Sequence, residues 1–203
     1  MTVRPIVVMG EEVLHRPAAP VTAFDGALRG LVRDMFDTMR AAPGVGLAAP
    51  QIGVDARVFV WSYGGLHPFD GEYGPALGMT IPSPSSGAVI NPHLELDWKG
   101  AELLPERLDL EREHEGCLSF PGYQYPIRRA PRAVLEGFDI DGGPIRIEAV
   151  AWLARIFQHE YGHLLGELYV DRLAGPWADE AAVQARIRGW GRPGVSWMPG
   201  SEG

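Results

Sequence analysis

Two histidines lie four residues apart in the segment His159-Glu160-Tyr161-Gly162-His163. Residues four apart lie on the same face of an α-helix, so the two imidazoles could bind one metal ion. Glu160 is one residue further along and about 100° around the helix, where its carboxylate could reach water at that metal and act as a general base. The spacing therefore predicts a hydrolytic metal site on a helix.

Two imidazoles need at least one further protein ligand, and the sequence offers more than one. The extended metallopeptidase pattern His-Glu-x-x-His-x-x-Gly-x-x-His is excluded, because Tyr169 occupies the position of its last histidine. Another group of peptidases uses a downstream glutamate, for which Glu180 is a candidate. Cys117 is the other candidate, since thiolate binds zinc or iron strongly and Gly116 lets the backbone approach closely. These residues favour Cys117 and leave Glu180 open.

Three segments carry a resemblance to a known family. The first is Gly44-Val45-Gly46-Leu47-Ala48-Ala49-Pro50-Gln51-Ile52-Gly53, the second is Glu115-Gly116-Cys117-Leu118-Ser119, and the third is Gln158-His159-Glu160-x-x-His163-Leu164. In this order they resemble the signature motifs of the peptide deformylases, which remove the formyl group from the N-terminal methionine of new bacterial polypeptides. The opening from Pro5 to Leu14 is also similar to that family, so the resemblance spans residues 4–172.

The resemblance implies a role for each matching residue. The metal ligands would be Cys117, His159 and His163. The metal would be Fe(II), the family's preferred ion, with Zn(II) as a possible substitute. Glu160 would be the general base, while Gln51 and the backbone N–H of Leu118 would stabilise the oxyanion on the formyl group. The partners would be formyl-methionyl peptides and nascent chains near the ribosome.

The same resemblance implies a substrate cleft and reveals one departure. The substrate-binding residues would be Gly44, Val45, Gly46, Glu115, Gly116, Trp152 and Ile156. Arg129 corresponds to the arginine that usually follows the second motif. Gly162 stands where the family commonly has aspartate, and a glycine within a helix costs about 1 kcal/mol relative to alanine. A missing carboxylate there could also change metal affinity.

Hydrophobic periodicity indicates the elements that would position these motifs. Apolar residues at intervals of three and four predict a helix from about Leu28 to Met39 and a second from Val150 to Leu165, with Gly166 as its C-cap. A short helix is expected at 180–188. The predicted strands are 57–61, 88–90, 133–140 and 144–150, the last two joined by the turn Asp141-Gly142-Gly143.

Strands precede the predicted metal-binding helix instead of alternating with helices, which favours an α+β fold. We expect small antiparallel or mixed sheets around that central helix. Residues 62–87 are rich in Gly, Pro and Ser and predict a long surface loop. Residues 1–172 would form one catalytic domain, with residues 173–203 as a C-terminal extension packed on it. The last part, 191–203, would lie on the surface and be pinned by Trp197.

Composition excludes several other classes. The chain has 203 residues and a net charge of −8, so no phosphate-binding surface and no direct nucleic-acid binding are expected. No run of about 18 apolar residues is present, so we expect no membrane span, and the weakly basic start does not resemble a signal peptide. A single cysteine makes an internal disulfide impossible. These features predict a cytoplasmic enzyme.

Three other functions remain compatible with these residues. A metallopeptidase would use Glu180 as its third ligand, and a thiol hydrolase would use Cys117 as nucleophile and His159 as base. An inactive deformylase-like protein would only bind nascent chains or ribosomes. The complete set of motif residues argues against this last alternative, although Gly162 keeps it open.

Overall fold

A computed structural model describes residues 2–65, 67–78 and 85–200. Its strands are β1 (Ile6–Val7), β2 (Gly46–Ala48), β3 (Val58–Tyr63), β4 (Ser85–Asp97), β5 (His114–Cys117), β6 (Phe120–Pro126), β7 (Arg132–Phe138), β8 (Pro144–Val150) and β9 (Ser196–Trp197). Its α-helices are α1 (Gly26–Ala41), α2 (Pro68–Tyr73), α3 (Ala151–Leu165) and α4 (Pro176–Ile187). No helix of this described part is both long and apolar enough to cross a membrane.

The largest sheet has five strands in the order β2-β3-β4-β7-β8, and each neighbouring pair is antiparallel. β5 pairs with β6 in a separate hairpin, and β1 pairs with β9. α3 packs on the large sheet, where Phe157 and Leu164 share a buried core with Phe59, Trp61 and Leu135. The predicted α+β class with small antiparallel sheets around a central helix is confirmed.

α3 follows β8 without a loop and ends where the sequence predicts. Gly166 adopts a left-handed conformation with φ of 81°, and its N–H donates to the carbonyls of Gly162 and His163. A Cβ atom at Gly166 would lie 2.6 Å from the backbone N of Arg16, so both the conformation and the available space require glycine. The two predicted ligand histidines are therefore one turn apart on a helix whose C-terminal end is fixed.

α1 is longer at both ends than its predicted range of Leu28 to Met39. The Asp25 side chain accepts hydrogen bonds from the backbone N–H groups of Ala27 and Leu28, so the helix begins at Gly26. The buried face of α1 packs Met35 and Met39 against the segment that carries the first motif. This packing holds β2 and the residues that follow it next to α3.

The prediction of a surface loop for residues 62–87 is wrong for most of its described part. β3 continues to Tyr63, α2 occupies Pro68–Tyr73, and β4 begins at Ser85. Buried Phe69, Tyr73 and Leu77 form a cluster with Leu104 and Ala151. The high content of glycine and proline concealed a short helix that starts with a proline, a favoured first residue. Residues 66 and 79–84 lie outside the described residues.

The other boundaries differ because of local features. β4 extends from the predicted 88–90 to Asp97, with a bulge between Ile90 and His93. The hairpin of β5 and β6 was not predicted. α4 begins at Pro176 instead of near residue 180, since proline is favoured at the first helical position.

The C-terminal segment is held against the start of the chain. Trp197 of β9 pairs with Ile6 of β1, and the N–H of Val8 donates to the carbonyl of Val195 at 3.0 Å. The indole N–H of Trp197 donates to the carbonyl of Leu118 at 2.9 Å. The prediction that Trp197 pins this segment is confirmed, whereas the division into residues 1–172 and 173–203 stays a prediction.

Candidate metal centre and active-site cleft

Cys117, His159 and His163 come together where the end of β5 meets α3. Their candidate ligand atoms all lie within 4.8 Å of one another, and Cys117 Sγ is 3.3 Å from His163 Nε2. Within the described ranges, no other group of histidine, cysteine and carboxylate side chains has this geometry. Glu180 lies exposed on α4 and outside the group, so the metallopeptidase alternative is not favoured.

Glu115 orients one of the two histidines. Its carboxylate lies 3.0 Å from His159 Nδ1, so Nε2 is the ring nitrogen that could bind a metal ion. Arg129 donates two hydrogen bonds to the same carboxylate, at 2.9 and 2.8 Å, and Arg155 donates a third at 2.8 Å. Burial alone would raise the pKa of Glu115, but these arginines and His159 lower it well below its usual range. Glu115 is therefore a buried anion that fixes the ring of His159.

The surroundings shift the pKa values of the two candidate histidine ligands in opposite directions. Burial lowers the pKa of His159, but the charge on Cys117 and hydrogen bonds with Cys117 and Glu115 raise it to about 10. The pKa of His163 lies well below its ordinary value because of burial and the positive charge on His159, so its ring is neutral. One thiolate and two imidazoles form a donor set that suits zinc or iron(II). The residues therefore fit a divalent metal ion.

Glu160 is buried between α3 and β2. A Cβ atom on Gly46 would lie 2.7 Å from Cδ of Glu160, so only glycine leaves room for this carboxyl group. Oε2 of Glu160 has no hydrogen-bond partner among the described residues. Burial raises the pKa of Glu160 to about 7, with a further increase from Glu115 and an opposing effect from His159. A carboxyl group with such a pKa can both accept and donate a proton near neutral pH.

Gln51 presents its amide nitrogen to the cysteine sulfur. The backbone N–H of Ala48 donates to Oε1 of Gln51 at 2.8 Å, which sets the orientation of the amide. Its Nε2 then lies 3.7 Å from Sγ of Cys117. Gln51 is carried by a short 3-10 helix, Ala49–Ile52, directly after β2. The first motif therefore delivers a buried N–H donor to the cluster.

A cleft of about 680 Å³ joins these groups. It is lined by every residue predicted for the site except His163, which is fully buried. The predicted metal and catalytic residues in its wall are Gln51, Cys117, Leu118, His159 and Glu160. The predicted substrate-binding residues in its wall are Gly44, Val45, Gly46, Glu115, Gly116, Trp152 and Ile156. Three segments that are distant in sequence therefore meet in one cavity.

Comparison with known proteins identifies the family. The family model for polypeptide deformylase matches residues 3–177. The chain belongs to this family.

Two deformylase relatives and one solved structure show how far this similarity extends. The peptide deformylase of Tropheryma whipplei (strain TW08/27) is 46% identical over 206 residues, which cover 96% of this chain and 92% of that protein. The peptide deformylase of Mycolicibacterium smegmatis is 46% identical, with 98% of this chain and 96% of that protein covered. The crystal structure of the peptide deformylase from Ehrlichia chaffeensis is 31% identical, has a TM-score of 0.73, and covers 93% of this chain and 97% of its own.

These similarities confirm the predicted family, enzyme class and reaction. The protein is a deformylase, a hydrolase that removes the N-formyl group from nascent polypeptides. The cluster of Cys117, His159 and His163 agrees with a bound metal in this family.

His67, the residue before α2, gives this deformylase a part of the cleft wall that the sequence did not predict. His67, just before α2, stacks on Trp152 with ring centroids 3.3 Å apart and planes 7° apart. Asp70 of α2 accepts a hydrogen bond from the backbone N–H of Trp152 at 2.9 Å. Both contacts fix the first turn of α3, which carries Trp152 into the cleft. An isolated histidine beside a proline gave no signal for this role.

Arg155 and Trp197 are two of the other wall residues that were not predicted. Arg155 lines the cleft and is four residues before His159, so the same spacing argument that paired the histidines could have found it. Trp197 lines the cleft from the C-terminal segment. Trp197 is far in sequence from all three motifs, so the sequence did not indicate that it lies in the cleft wall. The only indication was a large aromatic residue in a segment rich in glycine and proline.

Proposed function

We propose that Cys117, His159 and His163 hold the metal of this deformylase and that Glu160 moves the protons. The observation that carries this proposal is the meeting of three ligand atoms within 4.8 Å beside a buried carboxyl group with an open acceptor atom. A bound divalent metal would supply Lewis-acid activation of water and of the formyl oxygen. We propose Fe(II) as the native ion and Zn(II) as a possible substitute, since this donor set accepts both.

The chain's own groups support each step of the hydrolysis. Glu160 would take a proton from the water that adds to the formyl carbon. The side-chain N–H of Gln51 and the backbone N–H of Leu118 would donate to the oxyanion. The carbon–nitrogen bond would then break as Glu160 returns its proton to the leaving amine. The products would be formate and a peptide with a free amino terminus.

The cleft wall supports binding of a methionine side chain and an extended peptide. Trp152 and Ile156 on α3 would contact the methionine side chain, with Val45 at the rim, where it is exposed. Gly44, Gly46 and Gly116 would let the peptide backbone approach closely. Glu115 lines the same wall, but its carboxylate is bonded to two arginines and a histidine, so it would orient His159 instead of contacting the peptide.

The substrates suggest where the enzyme acts. Formyl groups are carried by new polypeptides, so we propose a cytoplasmic enzyme that meets nascent chains near the ribosome. The net charge of −8 offers no support for direct nucleic-acid binding. We also propose that residues 1–172 form the catalytic domain, with residues 173–203 packed on it.

Activity measured together with metal content, on protein purified without oxygen, tests the choice of metal. The Fe(II) form should start more active than the Zn(II) form and lose activity in air, because iron and the Cys117 thiolate can both be oxidised. The Zn(II) form should be slower and durable, since zinc has no accessible redox chemistry. Equal and air-stable activity in both forms would contradict the proposal of iron as the native metal.

A cysteine variant separates this proposal from the thiol hydrolase. Cys117→Ala should lose the metal, because one of three ligands is removed. A Cys117→Ala protein that keeps a full equivalent of metal would contradict the ligand role. Chelator-resistant activity in the wild-type protein would instead support Cys117 as a nucleophile.

A further inference from the structure

The indole of Trp197 reaches the turn that carries the proposed metal ligand Cys117. Its N–H donates to the carbonyl of Leu118 at 2.9 Å, although the two residues are 79 positions apart in the chain. Trp197 is half-buried, packs in the same cluster as Leu118 and lines the active-site cleft. This tryptophan is therefore a part of the cleft that none of the three motifs provides.

The turn at Leu118 and Ser119 is held from two sides. Cys117 and Phe120 pair across the hairpin, so Leu118 and Ser119 form its two-residue turn. Trp197 donates to the first carbonyl of this turn, and the backbone N–H of Met9 donates to the second, at Ser119, at 2.9 Å. Both donors come from the paired segments around β1 and β9. The segments that β1 and β9 pair together therefore both donate hydrogen bonds to this turn.

The contact made by Trp197 is transmitted to the sulfur through one planar group. The carbonyl of Leu118 and the N–H of Ser119 belong to the same peptide unit, which is rigid. That N–H lies 3.4 Å from Sγ of Cys117 and donates to it. A hydrogen bond that fixes the carbonyl therefore also fixes the donor that faces the sulfur, and it polarises that donor. The adjoining peptide unit carries the N–H of Leu118.

We propose that Trp197 is a positioning residue for catalysis. Its indole N–H orients the Leu118–Ser119 peptide so that Ser119 donates to the Cys117 sulfur and Leu118 keeps its own N–H directed at the formyl oxygen. The inference rests on the roles proposed above for Cys117 and Leu118. It makes the C-terminal segment a working part of the active site and not only a surface extension.

The test replaces the donor while keeping an aromatic ring. Trp197→Phe removes the indole N–H but leaves the backbone pairing of β9 with β1 unchanged. Loss of one oriented hydrogen bond should lower kcat for formate release about 3- to 10-fold, with KM changed less than about 2-fold. Trp190→Phe is the matched control, because Trp190 lies in the same C-terminal segment and packs on Phe120 with ring centroids 4.9 Å apart. It should keep wild-type kinetics.

A spectroscopic measurement distinguishes positioning from simple anchoring. In the Co(II)-substituted protein, the thiolate-to-cobalt charge-transfer band should shift in Trp197→Phe and stay unchanged in Trp190→Phe. If Trp197 only anchors the chain end, Trp197→Phe will lower the melting temperature and leave both the band and kcat unchanged, which overturns the inference. A wild-type Co(II) form without any thiolate band would contradict the ligand role of Cys117 itself, and the inference with it.

A further measurement uses the wild-type protein and does not depend on the folding of a variant. In 15N-labelled wild-type protein, the indole N–H of Trp197 should exchange slowly with solvent, because it is hydrogen-bonded. Its resonance should also shift when the product peptide Met-Ala-Ser is added, because Trp197 lines the cleft. Fast exchange together with an unchanged resonance at saturating peptide would overturn the inference.

Discussion

Gly46 and Glu160 fit together so closely that glycine is the only residue compatible with the position of the carboxyl group. A Cβ atom at position 46 would lie 2.7 Å from Cδ and 2.8 Å from Cγ of Glu160, and real Cβ contacts are not that short. Glu160 cannot retreat easily, since it is only 4% exposed. Gly46 of β2 therefore determines where the side chain of Glu160 of α3 can lie.

Gly46→Ala should inactivate the enzyme by displacing Glu160. Because general base catalysis contributes ~10²–10⁴-fold, we expect kcat to fall by at least ~10²-fold. Metal content should stay near one equivalent, since the atoms nearest to a Cβ at this position all belong to Glu160 and none to the three ligands. The measurement is formate release together with metal analysis. Gly30→Ala on α1 is the control, because a Cβ atom there would meet nothing within 4 Å. Equal activity of the two variants would contradict this account.

Glu160→Gln should separate proton transfer from metal binding. The amide keeps the shape of the buried side chain but cannot accept the proton, so kcat should fall by ~10²–10⁴-fold. The variant should still bind one metal, which atomic absorption can measure. Loss of metal together with activity would mean that Glu160 is a ligand and not a base.

Gln51→Ala should lower kcat by ~10²–10³-fold with little change in KM, because one donor to the oxyanion is removed. Gln51→Glu is the informative companion variant. It can still accept the hydrogen bond from the N–H of Ala48, yet it offers no donor and adds a negative charge. It should be at least as slow as the alanine variant. Activity near the wild-type level in Gln51→Ala would assign oxyanion stabilisation to other groups.

Gly162→Ala should stabilise the protein without changing its activity. A Cβ atom there would meet only the backbone O of Glu167, at an ordinary distance of 3.6 Å. Alanine is favoured over glycine inside a helix by about 1 kcal/mol, so the free energy of unfolding should rise by about that amount. Urea denaturation measures it. Gly166→Ala should have the opposite effect, because that residue has φ of 81°. A destabilised Gly162→Ala would mean that this glycine is needed for packing.

Features encoded by neighbouring residues could be predicted from the sequence. α3 was predicted because its apolar residues recur at helical spacing and Gly166 marks its end. The turn between β7 and β8 carries its own glycines. The five-stranded sheet depends on pairings between distant strands, which no local pattern specifies. α2 was missed because its buried residues, Phe69 and Tyr73, are separated by glycine and acidic residues that are typical of loops.

The residues of the candidate site can be divided in the same way, into those that local sequence reveals and those that depend on tertiary contacts. The three motifs are contiguous segments, so their residues can be recognised from the amino-acid sequence alone. His67 and Trp197 reach the cleft only through tertiary contacts, a ring stack on Trp152 and a hydrogen bond to Leu118. The role of Gly46 was visible as a motif position, but its reason, the space that it leaves for Glu160, appears only in the packed structure.

Formate release from a formyl-methionyl peptide tests the central claim most directly. Anaerobically purified, Fe(II)-loaded protein should release one formate and expose one amino terminus for each peptide consumed. A chelator should abolish this release, and Glu160→Gln protein with the same metal content should show almost none. No release by the metal-loaded wild-type protein, or release that persists fully in the presence of the chelator, would contradict metal-dependent deformylation by this chain.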